Sequence, residues 1–214
     1  MDFNGDNFDH SDLDFIHGGA LVVSQAGYRP IGNNPVPAGT PLTPLWGKEF
    51  KQKSIKYYTR TISASYEGAS MPYRYNYLDL DPLYKDIYGV PLLRMTYNFT
   101  DQDRNLYDYL GKQSDKVMKE MGADTIQSQG KLADYDIVPY QTTHNTGGVI
   151  IGDDPSISAV NNYSQMWDAD NVFVVGASSF AHNSGYNPTG TVGALAYRAA
   201  EGIIQYSKKG GQLA

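Results

Sequence analysis

Hydrophobic and polar residues alternate in three stretches of the first half of the chain, namely residues 55–66, 73–80 and 91–99. A period of two is typical of strands that bury one face, so the pattern predicts an antiparallel sheet. An uninterrupted apolar run at residues 20–23 predicts one further, buried strand. Residues 27–48 contain a cluster of prolines and several glycines, a composition that favours a long ordered loop.

The hydrophobic period changes after residue 100. Apolar residues recur there at helical spacing on one face, with polar residues opposite, and this predicts a helix over residues 101–121. The members of the apolar face are Leu106, Leu110, Val117 and Met121. Asp101 or Thr100 can cap the start of this helix and Gly122 can end it.

The last part of the chain combines a short apolar run with a second helical pattern. Residues 172–175 predict a short strand, and a turn rich in Gly and Ser follows it. Residues 191–206 predict a closing helix, and Lys208 and Lys209 come directly after it, where cations suit a helix C-terminus.

Composition narrows the possible functions. The chain has 214 residues, of which 41% are hydrophobic, and this is enough for a substantial core. A formal net charge of −6 opposes binding to the phosphate backbone of nucleic acids. Because the sequence has no cysteine, it excludes disulfides, thiolate zinc sites and iron–sulfur clusters, and its four histidines show no metal-binding spacing.

The start of the chain is acidic. Residues 1–15 have neither the basic nor the apolar region of an export signal, and no apolar run reaches the roughly 18 residues of a membrane helix. We therefore expect this chain to carry neither an export signal nor a membrane span.

Two glycine-rich segments hold the candidate chemistry. In THNTGGVIIGDDPSISAVN, His144 precedes a glycine pair. In NVFVVGASSFAHNSGYNPTGTVGALAYRAAEGI, an apolar run ends at Gly176, and Asn187 and Pro188 open the last helix. Because proline restricts the residue before it, the side chain of Asn187 can project beyond the helix start. A helix N-terminus after a glycine turn directs main-chain N–H groups toward an electron-rich ligand edge, such as the pyrimidine oxygens of a flavin.

Spacing alone leaves other interpretations open. A lone histidine in a glycine-rich turn is more often a structural hydrogen-bonding residue than a catalytic one, and Asn187 before a proline can be simply a turn and cap residue. The GxGxxG and phosphate-loop motifs are absent, which disfavours a dinucleotide-binding fold within this chain.

The chain nevertheless resembles the glucose-methanol-choline (GMC) family of flavin oxidoreductases, in particular the branch that oxidises gluconate and related sugars. The motifs that carry the resemblance are THNTGG, QMWDADNVFVVGAS and GYNPTGTVGALAYRAA. The run MPYRYNYLDLDPLYKDIYGVPLLRMTYNF is also similar to that branch, so the resemblance covers most of the chain.

The resemblance implies FAD-dependent oxidation of a CH–OH group of a sugar acid or polyol, by hydride transfer to the flavin. His144 would be the general base, a role that a neutral imidazole suits, and Asn187 would position the substrate oxygen. Tyr73 and Arg74 could contact the substrate, with Arg74 pairing with its carboxylate. The residues expected at the flavin are Gly176, Ala177, Asn187, Pro188, Thr189 and Thr191.

The fold that the resemblance implies is α+β. Residues 1–140 would mainly form the antiparallel sheet of a substrate domain, with the loop at 27–48 and the helix at 101–121. Residues 141–214 would hold the C-terminal catalytic and flavin-contacting segment, whose strand and helix belong to the FAD domain. The family's N-terminal Rossmann unit has no counterpart here, so we expect a C-terminal fragment of a truncated or split gene, inactive alone.

The resemblance also implies partners. These are a small exported subunit, a cytochrome c subunit and a chain that supplies the missing FAD-binding half. The related enzymes are membrane-associated and periplasmic, and an exported partner would account for the absent export signal.

Two other function classes stay open. The chain could be a non-catalytic carbohydrate-binding or protein-interaction remnant that never holds flavin, in which case a purified sample would not be yellow. A glycoside hydrolase would need a pair of carboxylates, and none of the glutamates has a recognisable paired setting. The glutamates are Glu49, Glu67, Glu120 and Glu201.

Overall fold

The computed structural model describes residues 9–25, 46–128, 130–138 and 144–213. The chain divides into two units, each built from two separate stretches of sequence. Unit 1 comprises Met1–Gly68 and Asp101–Leu132, and unit 2 comprises Ala69–Thr100 and Ala133–Ala214. These units do not follow the functional division at residue 140, which stays a prediction.

The first stretch of unit 1 contains β1 (Gly19–Ser24), α1 (Gly47–Tyr57) and β2 (Ser63–Gly68). The two strands pair antiparallel over their whole length, so that Gly19 lies opposite Gly68. The predicted strand at residues 20–23 is therefore confirmed as a strand. Its burial was overestimated, because Leu21 is buried whereas Val22 and Val23 are exposed.

The second stretch of unit 1 contributes α2 (Asp101–Glu120), which packs on this small sheet. Leu106 and Leu110 are buried and form a core with Phe15. The predicted helix and two of its core positions are thus confirmed. Met121 lies beyond the helix and is exposed, so the buried face is shorter than the sequence pattern suggested.

Gly122 ends α2, as the sequence predicts. Its φ is 78°, which favours glycine, and its N–H donates to the Lys119 carbonyl at 2.9 Å. The N–H of Ala123 donates to the Met118 carbonyl at 3.2 Å. This pair of hydrogen bonds is the Schellman arrangement, which satisfies carbonyls that the helix end would leave without a partner.

The predicted strand at residues 55–66 is wrong in its first part. α1 continues to Tyr57, and the chain then turns, with the N–H of Arg60 donating to the Tyr57 carbonyl at 2.9 Å. The segment before residue 55 is rich in Lys, Glu and Gln, which favour helix, and Lys53 pairs with Glu49 one turn away at 3.0 Å. Most of the predicted loop at residues 27–48 lies outside the described residues.

Unit 2 begins with a hairpin of β3 (Tyr77–Lys85) and β4 (Pro91–Thr96). The strands are antiparallel, and Arg94 of β4 forms an ion pair with Asp79 of β3 through two hydrogen bonds. The predicted strand at residues 91–99 is largely confirmed. The strand predicted at 73–80 begins later, because the N–H of Asn76 donates to the Tyr73 carbonyl at 2.9 Å and closes a turn.

The described residues do not form the single antiparallel sheet that the sequence predicts. They contain two separate two-stranded sheets, β1 with β2 and β3 with β4. The predicted strand at residues 172–175 is also wrong, because only one bridge forms there, between Phe173 and Gln165. The class α+β is confirmed nonetheless.

The closing helix is α3 (Thr189–Lys209), which confirms the helix predicted at residues 191–206 and extends it at both ends. Gly210 follows it with φ 65°, and its N–H donates to the Tyr206 carbonyl at 2.7 Å. The chain then returns to a buried polar pair, Asn161 and Gln165. These two side chains bond the tail at Gly211 and Leu213.

Candidate functional site

His144 lies in unit 2 in a backbone conformation that few side chains adopt. Its φ is 61°, in the left-handed region, where histidine and asparagine are tolerated better than most residues. The side chain is partly buried. Its backbone carbonyl accepts a hydrogen bond from the Asn183 side-chain amide at 3.2 Å. The histidine is therefore held by a defined contact with the segment that leads to α3.

The residues that follow His144 run along the turn predicted to contact the flavin. The N–H groups of Gly147, Val149 and Ile151 donate to the carbonyls of residues 177, 178 and 179 at 3.1, 3.0 and 2.9 Å. Alternate residues of the segment 147–151 thus bind consecutive residues of a 3₁₀ turn, Ala177–Ser179. The structure therefore brings the His144 segment and Ala177 together.

Gly176 enters this turn with φ 127° and ψ −172°, a conformation that belongs essentially to glycine. The buried hydroxyl of Ser179 donates to the Gly176 carbonyl at 2.8 Å and holds the turn closed. A Cβ atom added at Gly176 would meet no atom of the residues that the structure describes within 4 Å. Among the described residues, none packs against the face of this turn where a Cβ atom would stand.

Asn183 hydrogen-bonds both to His144 and to the turn that leads to α3. It is buried, and its backbone exchanges two hydrogen bonds of 3.0 Å with Ser70. Its side-chain oxygen accepts from the Gly185 N–H at 3.2 Å, while its side-chain nitrogen donates to His144. Gly185 has φ 77° and stands two residues before Asn187.

Sequence reasoning missed Asn183. The signal that could have found it is the spacing Asn-x-Gly in HNSGYNP, because an asparagine side chain often bonds the N–H two residues later. The neighbouring His182, by contrast, is exposed.

Asn187 is exposed immediately before α3. Pro188 is the N-cap residue and makes no side-chain cap hydrogen bond, and the first turn holds no acidic residue. The first intrahelical bond runs from the Val192 N–H to the Pro188 carbonyl at 3.0 Å. The N–H groups of Thr189, Gly190 and Thr191 precede it, and Thr189 and Thr191 are exposed. This end of a 21-residue helix is electropositive.

Tyr73 and Arg74 lie in the turn before β3, not on the strand that the sequence predicts. The rings of Tyr73 and Tyr75 stack with centroids 5.3 Å apart. Arg74 donates to the backbone carbonyl of Ser156 at 2.7 Å. The turn is thereby tied to the loop that follows the His144 segment, and the Arg74 side chain remains exposed.

That loop is ordered by Asp154. The N–H of Ser156 donates to the Asp154 carboxylate at 2.8 Å, and this hydrogen bond holds the pKa of Asp154 below its usual value. The carboxylate is therefore charged at neutral pH and keeps the Ser156 carbonyl in reach of Arg74.

Within the described ranges, no group of three or more His, Asp or Glu side chains is arranged to hold a metal ion. None of the helices in the described part of the chain combines the length and apolar character needed to cross a membrane.

Comparison with known proteins identifies relatives. The sequence is 46% identical over 99% of this chain to the gluconate 2-dehydrogenase flavoprotein of Pantoea cypripedii, of which it covers 34%. It is 29% identical over 92% of its length to 2-methyl-1,2-propanediol dehydrogenase of Mycolicibacterium austroafricanum, of which it covers 35%. It is 27% identical over 88% of its length to the fructose dehydrogenase large subunit of Gluconobacter japonicus, of which it covers 34%.

The chain thus spans about a third of the length of these relatives. The family model for the C-terminal part of GMC oxidoreductase matches residues 72–196, which is more than half of the chain. This range includes His144, the Gly176 turn, Asn183 and the start of α3. The chain belongs to the GMC oxidoreductase family.

Proposed function

We propose that this chain carries the substrate-side catalytic residues of an FAD-dependent dehydrogenase that oxidises a CH–OH group of a sugar acid or polyol, with gluconate as the model substrate. Membership of the GMC oxidoreductase family supports the reaction class. The substrate class follows the two sugar dehydrogenases among the relatives, the gluconate 2-dehydrogenase flavoprotein and the fructose dehydrogenase large subunit.

The observation that carries the proposal is the hydrogen-bonded cluster in unit 2. Three backbone bonds fasten the segment after His144 to the turn at Ala177–Ser179. The Asn183 amide bonds His144 on one side and the turn before Asn187 on the other. Two segments distant in sequence, both of which the sequence predicts to carry the chemistry, are therefore linked through direct contacts.

The residues present fit a flavin. A flat, electron-rich ring system needs bare backbone to lie against and N–H groups to bind its oxygen-bearing edge. In the described part of the chain, no atom lies within 4 Å of the position that a Cβ atom would take at Gly176 or Gly190. The first turn of α3 holds no carboxylate that would repel the ring's carbonyl oxygens. We assign the flavin contacts to six residues: Gly176, Ala177, Asn187, Pro188, Thr189 and Thr191. Bound FAD would supply the acceptor for the hydride.

The residues of this chain would handle the alcohol and its proton. Oxidation removes a hydroxyl proton and a hydride from the carbon, and a C=O bond forms. We assign the proton to the imidazole of His144, because an uncharged imidazole is the side chain best suited to accept it near neutral pH. The Asn187 carboxamide would donate a hydrogen bond to the substrate oxygen and so fix the carbon's orientation.

We assign recognition of a carboxylate to Arg74. Its guanidinium is exposed, and one of its nitrogens is occupied by the Ser156 carbonyl, which restricts where the remaining N–H groups can point. Tyr73, stacked on Tyr75, offers an aromatic face for the apolar side of a sugar ring. In this proposal residues 1–140 serve mainly the substrate and residues 141–214 serve catalysis and the flavin.

We infer that the chain works with partners. The Gluconobacter relative is described as a large subunit, which supports an enzyme of several chains. By the family resemblance these are a small exported subunit, a cytochrome c subunit and a polypeptide with the principal FAD-binding part, at the periplasmic face of the membrane.

The test begins with the flavin-loaded assembly, by which we mean this chain co-expressed with the reading frame upstream of it. An absorbance scan measures bound flavin, and dye reduction with gluconate measures turnover per bound flavin. We expect His144→Asn to lower turnover per flavin by about 10²–10⁴-fold while flavin content stays unchanged. Asparagine tolerates the left-handed backbone of His144, so the substitution removes the base without straining the chain.

The matched control is His17→Asn in unit 1, because His17 has the same φ of 61° and is exposed. We expect this variant to retain turnover. Equal turnover in His144→Asn and the wild type would remove the assigned base. An assembly that never binds flavin would favour the non-catalytic carbohydrate-binding remnant.

A further inference from the structure

Asn183 occupies a position that demands a carboxamide. It must accept one hydrogen bond, from the Gly185 N–H, and donate another, to the His144 carbonyl. Since both partners are backbone groups with fixed polarity, they determine which way the amide points. A carboxylate cannot donate, and a hydroxyl is too short to bridge both. The side chain is also buried, with 9% of its surface exposed, so water cannot easily replace either bond.

The backbone of Asn183 is fixed independently of its side chain. The N–H and the carbonyl of Asn183 both pair with Ser70, at 3.0 Å each. The β-bridge with Ser70 therefore fixes the position from which the Asn183 amide reaches His144. The φ of 61° at His144 is unfavourable and must be stabilised by surrounding contacts. Losing the bond to the His144 carbonyl would remove one of the supports of this backbone conformation.

We propose that Asn183 is a positioning residue for the alcohol oxidation: it sets the separation and orientation of the His144 imidazole and the Asn187 carboxamide. This inference rests on the proposed function. Asn183 does not touch the reacting atoms. It acts through the His144 carbonyl on one side and through the Gly185 turn on the other, and Gly185 stands two residues before Asn187.

A buried asparagine can also be a purely structural residue, and unit 2 offers one for comparison. Asn161 is buried with 2% of its surface exposed. Its amide donates to the Leu213 carbonyl at 2.7 Å, and its oxygen accepts from the Tyr163 N–H at 2.9 Å. Asn161 therefore makes the same two kinds of bond, but to residues that have no role in the proposed chemistry.

The test compares Asn183→Asp with Asn161→Asp in the flavin-loaded assembly. Each substitution keeps the size and the acceptor and removes the donor, so both should lower the thermal midpoint. We expect Asn183→Asp alone to lower kcat per bound flavin, on the order of 10- to 100-fold, with KM changed little, because misplacing a catalytic group slows the chemical step. Hydrogen exchange at the Gly185 amide should stay slow in Asn183→Asp, which retains the acceptor.

Three results are decisive. If His144→Asn lowers turnover and Asn183→Asp keeps kcat within about two-fold of the wild type, the positioning role is refuted while the proposed function stands. If Asn161→Asp lowers kcat per flavin as much as Asn183→Asp, the effect is general and the positioning role is again refuted. If His144→Asn leaves turnover unchanged, the proposed function itself fails, whatever Asn183 does.

A buried new carboxylate can prevent assembly altogether. In that event Asn183→Ser decides the question, because a hydroxyl introduces no charge and yet cannot bridge His144 and Gly185. The same loss of kcat per bound flavin is expected, together with faster exchange at Gly185. Wild-type kcat in assembled Asn183→Ser would refute the positioning role.

Discussion

At the scale of single residues, the candidate site depends on residues whose backbone conformation is unusual. His144 has a left-handed backbone, and Gly176 has one that essentially only glycine adopts. The sequence could predict both positions, because a histidine before a glycine pair and a glycine after an apolar run are visible motifs. For Asn183 it offers only the Asn-x-Gly spacing, because the contacts of Asn183 with Ser70 and His144 involve residues far away along the chain.

Arg74 provides a test of substrate class at this scale. If its guanidinium pairs with a carboxylate, Arg74→Gln should raise KM for gluconate by roughly 10-fold or more and leave KM for an uncharged polyol unchanged. Steady-state dye reduction with both substrates measures the difference.

Arg60→Gln is the matched control for that substitution. Arg60 is also exposed and also donates to a backbone carbonyl, that of Lys56 at 2.9 Å, but it lies in unit 1. We expect the control to behave like the wild type with both substrates. A parallel rise of KM for gluconate and polyol in Arg74→Gln would contradict carboxylate recognition, since an uncharged substrate has no carboxylate to lose.

At the scale of elements, the helices were easier to predict than the strands. α2 and α3 carry long periodic patterns, and α2 also ends in a glycine that the structure uses. The predicted strand boundaries differ from the observed ones because an alternating pattern of apolar and polar residues does not distinguish a strand from the last turn of α1 or from the turn at Tyr73. α1 was missed because it buries no residue and so has no apolar face to detect.

The contact of α2 with its sheet gives a prediction of stability. A Cβ atom at Gly19 would lie 2.2 Å from the Glu67 carbonyl oxygen and 2.9 Å from a methyl carbon of Leu110. The first neighbour is backbone and cannot move away cheaply. Gly19→Ala should therefore cost about 1–3 kcal/mol, seen as a thermal midpoint lower by several degrees.

Gly130→Ala is the control, because a Cβ atom there would meet no atom of the described ranges within 4 Å and the residue lies in the same unit. It should be neutral or slightly stabilising, since alanine restricts the unfolded chain. If both substitutions shift the thermal midpoint equally, the close approach of β1, β2 and α2 is not the reason why position 19 requires glycine.

At the scale of the whole molecule, each unit combines two distant stretches of sequence. No local sequence pattern predicts this division into units, because it depends on which elements pack against each other and not on their order along the chain. The sequence predicts one antiparallel sheet, whereas the described residues form two separate two-stranded sheets, because local patterns do not show which strands pair. Family resemblance was informative where local patterns were not, because the candidate residues that it singled out lie in both stretches of unit 2, Arg74 in the first and His144 and Asn187 in the second.

The return of the chain end into unit 2 supports the last prediction. Gln165 is fully buried, and its side chain binds the Gly211 carbonyl at 2.9 Å and the Leu213 N–H at 2.8 Å. Asn161 donates to the Leu213 carbonyl, and the Leu213 side chain is itself buried. Ending the chain at Gly210 would remove all these partners at once.

Gln165 would keep its hydrogen bonds to Asn161 and to the Asp170 carbonyl. The truncation removes the three hydrogen bonds that Gln165 and Asn161 make to the tail, each worth about 0.5–1.5 kcal/mol, together with the burial of Leu213, so it should destabilise unit 2 by several kcal/mol in the flavin-loaded assembly. Thermal unfolding with release of flavin measures it. The truncation should cost less in a Gln165→Met background, because an apolar side chain of similar length has no hydrogen bonds to lose, and the two changes are then non-additive. Equal costs in both backgrounds would mean that the tail stabilises the unit through Leu213 burial and not through Gln165, since only the hydrogen bonds depend on the residue at position 165.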